Sequence, residues 1–175
     1  MTVLSSPFIW VVCVCYMAVF CAKTSAVDWG QMYLMEDHRH SQYTGSTFTS
    51  SVEWGGFFGG ILSGYLGDWA AKQRKKQLSM DPTPQPANPR MRIAVIFTGL
   101  IIIALHLLHF NVNSRSRVSF ITFVGFLLGM GLYGVIIVFG VVATEAAPIA
   151  LSGTAHAMVA LAANSKFHLK GYQLR

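Results

Sequence analysis

Apolar residues in this chain come in long blocks rather than alternating with polar ones. The blocks run from Pro7 to Ala22, Val52 to Trp69, Ile93 to Phe110, Val118 to Val142 and Ala146 to Ala163. Each approaches the ~20 residues that an α-helix needs to cross a hydrocarbon core. The pattern predicts an all-α membrane protein of about five transmembrane helices, with spans near residues 7–29, 48–69, 93–110, 118–142 and 147–163 of a single body, 1–164.

Composition supports this reading. The 175 residues are 53% hydrophobic and 11% charged, where soluble domains are roughly a quarter charged. A cleaved signal peptide competes for the first block, but residues 1–6 lack the Lys or Arg of a positively charged leader region. Cys13, Cys15 and Cys21 all lie in that block and read as small lipid- or core-facing residues rather than a disulfide framework. The basic residues Lys72, Arg74, Lys75, Lys76, Arg90 and Arg92 gather between the second and third blocks. By the positive-inside tendency this segment is cytoplasmic, and its position explains most of the net charge of +6 without a nucleic-acid partner. The same segment holds Pro82, Pro84, Pro86 and Pro89, an extended, solvated linker by composition.

Glycine dominates the second block. Gly56, Gly60 and Gly64 recur every fourth residue beside Gly55 and Gly59, and Gly125 and Gly129 repeat the spacing in the fourth block. Such stripes let neighbouring helix backbones approach closely.

The candidate chemistry begins with Lys23, which ends the first apolar run and is followed by Asp28. An ammonium at membrane depth needs a carboxylate, a wet cavity or a ligand. Five residues separate Lys23 from Asp28, so they are not stacked helical neighbours. Two readings stand: a phosphate-type anion binds the ammonium, or the side chain snorkels to the headgroups from near a helix end. Glu53 opens the glycine-rich span and Glu145 closes the fourth; Asp68 precedes the basic run, where it can pair with Lys72 or cap a neighbouring helix. Thr144 to Pro148 reads as a helix break and restart. Tyr133 and His156 place a hydroxyl and an ionisable ring inside apolar blocks. His106 and His109 share a helical face, but no acidic or Cys ligand accompanies them and zinc is not expected; His38 and His40 lie in a polar loop. No nucleophile–base set, phosphate-cradling loop or cofactor motif is present, so an enzyme is not expected.

The strings Lys23 to Gln31, Glu53 to Gly56, Gly64 to Asp68, Tyr133-Gly134, Ala143 to Pro148 and Gly153 to Leu161 resemble the organophosphate:phosphate antiporters of the major facilitator superfamily, most of all their endoplasmic-reticulum branch, which exchanges glucose 6-phosphate. The resemblance runs from about Ser6 to Asn164. It implies a truncated C-terminal half of a two-half helical bundle, with substrate bound at the membrane midplane between halves that rock. It implies exchange of a hexose phosphate for inorganic phosphate in the endoplasmic reticulum membrane, with Lys23, Tyr133 and His156 at the substrate and Asp28, Glu53, Gly64, Asp68 and Glu145 in gating or support. Trp69 departs from the pattern, which has Arg or Lys there, and residues 165–175 form a divergent tail. An alternative from the same incompleteness is a non-transporting membrane protein that associates with a full-length transporter or with itself.

Overall fold

A computed structural model describes residues 7–80, 88–148 and 151–164. Five helices follow in chain order: α1 (Pro7–Glu36), α2 (Gln42–Met80), α3 (Pro89–Phe110), α4 (Val118–Ala146) and α5 (Ser152–Asn164). No strand occurs among the described residues. This is an all-α, multi-pass membrane architecture. The helices α1, α3 and α4 are long and apolar enough to cross a bilayer. At 39 residues α2 extends roughly 58 Å, more than a bilayer core needs, but glycine and polar residues dilute its hydropathy. The described part of α5 spans 13 residues, roughly 20 Å.

The helix ends follow local chemistry. Asn88 caps α3, its side-chain oxygen accepting from the Arg90 N–H at 3.0 Å, and Pro89 takes the first helical position, where its missing N–H is harmless. Pro89 thus opens a helix instead of extending the linker; residues 81–87 of that linker, and the tail 165–175, lie outside the described residues. The basic run from Lys72 to Lys76 is likewise helical, because α2 continues to Met80. At the other end of the bundle, Arg39 adopts a left-handed backbone (φ 54°) as α1 closes. There the His40 Nε2 lies 3.1 Å from the Asn113 carbonyl, joining the α1–α2 and α3–α4 connections.

The central helix is α4. In its most apolar stretch 61% of residues are buried, against 17% for α1 and 28% for α3. Leu128, Leu132 and Val135 of α4 pack with Val12 and Tyr16 of α1, Phe48 and Val52 of α2, and Phe97 and Ile101 of α3 in one core. The tightest crossing is α2 on α4, and it is reciprocal. A Cβ at Gly55 or Gly59 would strike the Phe126 or Met130 carbonyl, and one at Gly129 would strike that of Val52. Both glycine stripes read from the sequence therefore serve the same interface. In a lipid environment close backbone packing replaces the hydrophobic drive available in water. Gly64 departs from this pattern: nothing lies within 4 Å of a Cβ built there. Hydroxyls inside the bundle are satisfied locally, as with Ser51 donating to the Phe48 carbonyl (2.7 Å) and Thr24 to that of Phe20 (2.9 Å), which apolar surroundings demand.

The two glycine environments predict opposite stability effects. Gly129→Ala forces backbone separation and is expected to destabilise the chain by about 1–3 kcal/mol. Gly64→Ala fills open space in a helix and is expected to be neutral or stabilising by up to about 1 kcal/mol. Thermal unfolding in detergent followed by circular dichroism checks both signs.

Candidate functional site

Three helices bring Lys23, Tyr133 and Glu53 together. Lys23 lies near the middle of α1, and Tyr133 near the middle of α4. The Lys23 Nζ sits 4.5 Å from the centre of the Tyr133 ring and 5.7 Å from that of Phe20, both within cation–π range. The Tyr133 hydroxyl donates to the Glu53 carboxylate. Gly56 makes the arrangement possible, since a Cβ there would overlap the Tyr133 ring.

The Lys23 side chain is held inside the bundle, against two rings, rather than at a helix end. The apolar run ends at Ala22, but the helix continues to Glu36, roughly 20 Å beyond Lys23. Among the described residues Lys23 forms no ion pair. A ring face moderates its charge but accepts no strong hydrogen bond, so its three donors remain for an oxygen-rich anion. Glu53 is exposed on its other side to a cleft of about 530 Å³, which Thr49, Ser50, Trp54 and Phe57 also line. Cation, phenol and carboxylate thus lie side by side across three helices.

A second cluster lies at the end of the bundle that carries the basic residues. The Arg90 guanidinium is buried and reaches two carboxylates, Nε to Glu145 at 2.9 Å and Nη2 to Asp68 at 3.1 Å. The Asn88 amide lies 3.5 Å from Glu145. One side chain at the start of α3 thereby ties the end of α4 to α2. Asp68 pairs with Arg90 and not with Lys72, because the antiparallel α3 begins beside it while Lys72 points outward. A Cβ at Gly67 would lie 2.5 Å from the guanidinium, so glycine there leaves the space it occupies. Both carboxylates also sit at the positive N-terminal end of α3, a favourable position for negative charge.

The remaining expected site residues are dispersed. Asp28 is exposed on α1. His156 is exposed on α5 and packs beside Gly140 of α4, roughly 10 Å along that helix from Tyr133. Gly64 faces open space. His106 and His109 pack against Phe110, tilted and edge-on, at 4.5 and 4.7 Å between ring centres, and no metal-holding cluster occurs among the described residues. Sequence reasoning missed Arg90, whose signal was the Asn88-Pro89 helix start that fixes it.

The chain is similar to proteins described as a membrane sensor and as hexose phosphate transport proteins. The chain is 35% identical over 66 residues to the membrane sensor protein UhpC of Salmonella typhimurium, covering 38% of this chain and 15% of the relative. It is 25% identical over 153 residues to a probable hexose phosphate transport protein of Chlamydia muridarum, covering 87% of this chain and 30% of the relative. A probable hexose phosphate transport protein of Chlamydia trachomatis is 27% identical over 78 residues, covering 45% of this chain and 17% of the relative. The chain spans less than a third of the length of these relatives. No family model and no solved structure matches it.

Removing the Arg90 charge leaves two carboxylates crowded without a cation. Arg90→Met is expected to destabilise the chain by about 1–3 kcal/mol, moderated because Asp68 and Glu145 are partly solvated. Adding Glu145→Gln should restore part of the loss. A double-mutant cycle by thermal unfolding measures the coupling.

Proposed function

We propose that this chain forms the phosphate-binding portion of an antiporter that exchanges a hexose phosphate, glucose 6-phosphate, for inorganic phosphate across the endoplasmic reticulum membrane. The observation that supports the reading is Lys23, an ammonium near the middle of the apolar helix α1 that meets aromatic rings and forms no ion pair among the described residues. Similarity to proteins described as hexose phosphate transport proteins supports the substrate class.

The chemistry follows from the three side chains. Lys23 attracts the phosphoryl group as a compact point charge with three donors. Tyr133 offers its ring face to that cation and donates its hydroxyl to Glu53. The carboxylate accepts from sugar hydroxyls, so a hexose phosphate engages both ends of the site and inorganic phosphate only the cationic end. In this reading His156 and Asp28 approach substrate from the periphery. Gly64, Asp68 and Glu145 belong to the gate at the basic end, where Arg90 holds the helices closed. An empty cationic cavity does not readily reorient, and occupancy by either phosphate permits the rocking of one bundle against another. No cofactor or metal enters.

A second reading draws on the relative described as a sensor. The same three residues would then bind sugar phosphate without translocating it, in a membrane protein that signals or associates with a full-length transporter.

Phosphate-loaded proteoliposomes separate these readings. Antiport predicts labelled glucose 6-phosphate uptake that requires internal phosphate. Lys23→Ala is expected to reduce it roughly 10–100-fold, the worth of a hydrogen bond to a charged group. Tyr133→Phe should reduce it about 3–10-fold. Saturable binding without uptake favours the sensor reading, and absence of both overturns the substrate assignment.

A further inference from the structure

Thr49, Ser50, Glu53, Trp54 and Phe57 recur at helical spacing along α2 and line the cleft of about 530 Å³ beside the Tyr133 hydroxyl. A carboxylate beside the middle of a membrane-spanning helix does not face hydrocarbon, so this face of α2 borders a polar space. Its largest residue is nevertheless an indole, and Trp54 is 62% exposed. The position is not that of an interfacial tryptophan, which sits at headgroup level: the next residue, Gly55, packs on Phe126, roughly 12 Å from the start of α4. Neighbouring rings hold the indole. Phe57 meets it edge-on at 6.2 Å, and Phe58 stacks with it at 6.4 Å between ring centres. Phe57 and Phe58 meet each other edge to face at 5.5 Å. An oriented aromatic surface thus stands next to a carboxylate and two hydroxyls.

We propose that Trp54 determines specificity for a hexose ring, stacking on its C–H face while Glu53 and Ser50 take its hydroxyls. The inference rests on the phosphate-binding reading of Lys23 and adds the group that tells a sugar phosphate from other phosphates. A pyranose carries hydroxyls around its rim and C–H groups on its faces. The negative face of an indole attracts the polarised C–H groups. Glu53 meets the rim, because its Oε2 accepts from Tyr133 and the carboxylate keeps further lone pairs for a sugar hydroxyl. Ser50 is exposed one turn away. Thr49 donates to the Gly45 carbonyl at 3.3 Å, which leaves its oxygen as an acceptor. A few polar groups beside a large apolar wall are what orient a small ligand. Inorganic phosphate and glycerol 3-phosphate have no ring and gain nothing from the indole. A protein segment packed on Trp54 would have to satisfy Glu53 as well, and would give no discrimination among phosphates.

Displacement of radiolabelled phosphate from the purified full chain tests the assignment, with inorganic phosphate, glycerol 3-phosphate and glucose 6-phosphate as competitors. The natural sequence is expected to bind glucose 6-phosphate more tightly than glycerol 3-phosphate. Trp54→Leu keeps apolar bulk and removes the ring, and should lower that preference about three- to tenfold. Trp54→Phe keeps a smaller ring and should lower it less than about twofold. Phosphate binding in the same assay reports whether each variant is folded. A preference that survives Trp54→Leu, or Trp54→Phe behaving like Trp54→Leu, overturns the proposal. An equal fall for all three competitors marks Trp54 as a packing residue and overturns it too. Phosphate binding by the natural sequence without preference for the hexose overturns this proposal and leaves the Lys23 reading standing, whereas absence of phosphate binding overturns both.

Discussion

An ammonium in the middle of a membrane-spanning helix constrains everything around it. Insertion scales place the cost of such a charge at about 2.5–3.5 kcal/mol at the bilayer centre, and Lys23 has no carboxylate among the described residues to offset it. The bundle moderates the charge with two aromatic faces and places a tyrosine–glutamate hydrogen bond beside it. Ring faces lower the cost without consuming the donors. In the proposed function that leaves the position receptive to an anion, where an ion pair would have closed it.

The helices that hold this site also hold the Arg90 cluster. Glu53 and Asp68 are both on α2, and Tyr133 and Glu145 are both on α4, with the two levels roughly 20 Å apart along the helix axes. At the level of Lys23, α2 and α4 pack backbone against backbone through Gly55, Gly59 and Gly129. That crossing has little freedom to repack, since any side chain larger than hydrogen collides with a carbonyl.

Much of the architecture was legible in the sequence because a bilayer imposes a simple rule: long apolar blocks become helices, and small-residue stripes become their contacts. Lys23 stood out for the same reason. Pairings distant in sequence were not legible. Tyr133 meets Glu53 across 80 residues, and Arg90 meets Glu145 across 55; no local spacing encodes either. Arg90 was further hidden in a run of cations that orientation alone explains. The apolar run that ends at Ala22 suggested a helix end near Lys23, yet Thr24 and the residues up to Glu36 continue the helix. Polar residues inside a bundle do not interrupt a helix when neighbouring helices satisfy them. Gly64 shared the spacing of its neighbours but not their contacts, because helix crossings are local and stripes outrun them.

Equilibrium binding tests the central claim most directly: saturation of the purified chain with radiolabelled glucose 6-phosphate, compared between the natural sequence and Lys23→Met. Saturable binding that inorganic phosphate displaces and glucose does not, and that weakens at least about tenfold in Lys23→Met, is the expected result. Undiminished binding in Lys23→Met would contradict the assignment of this ammonium as the anion-binding group.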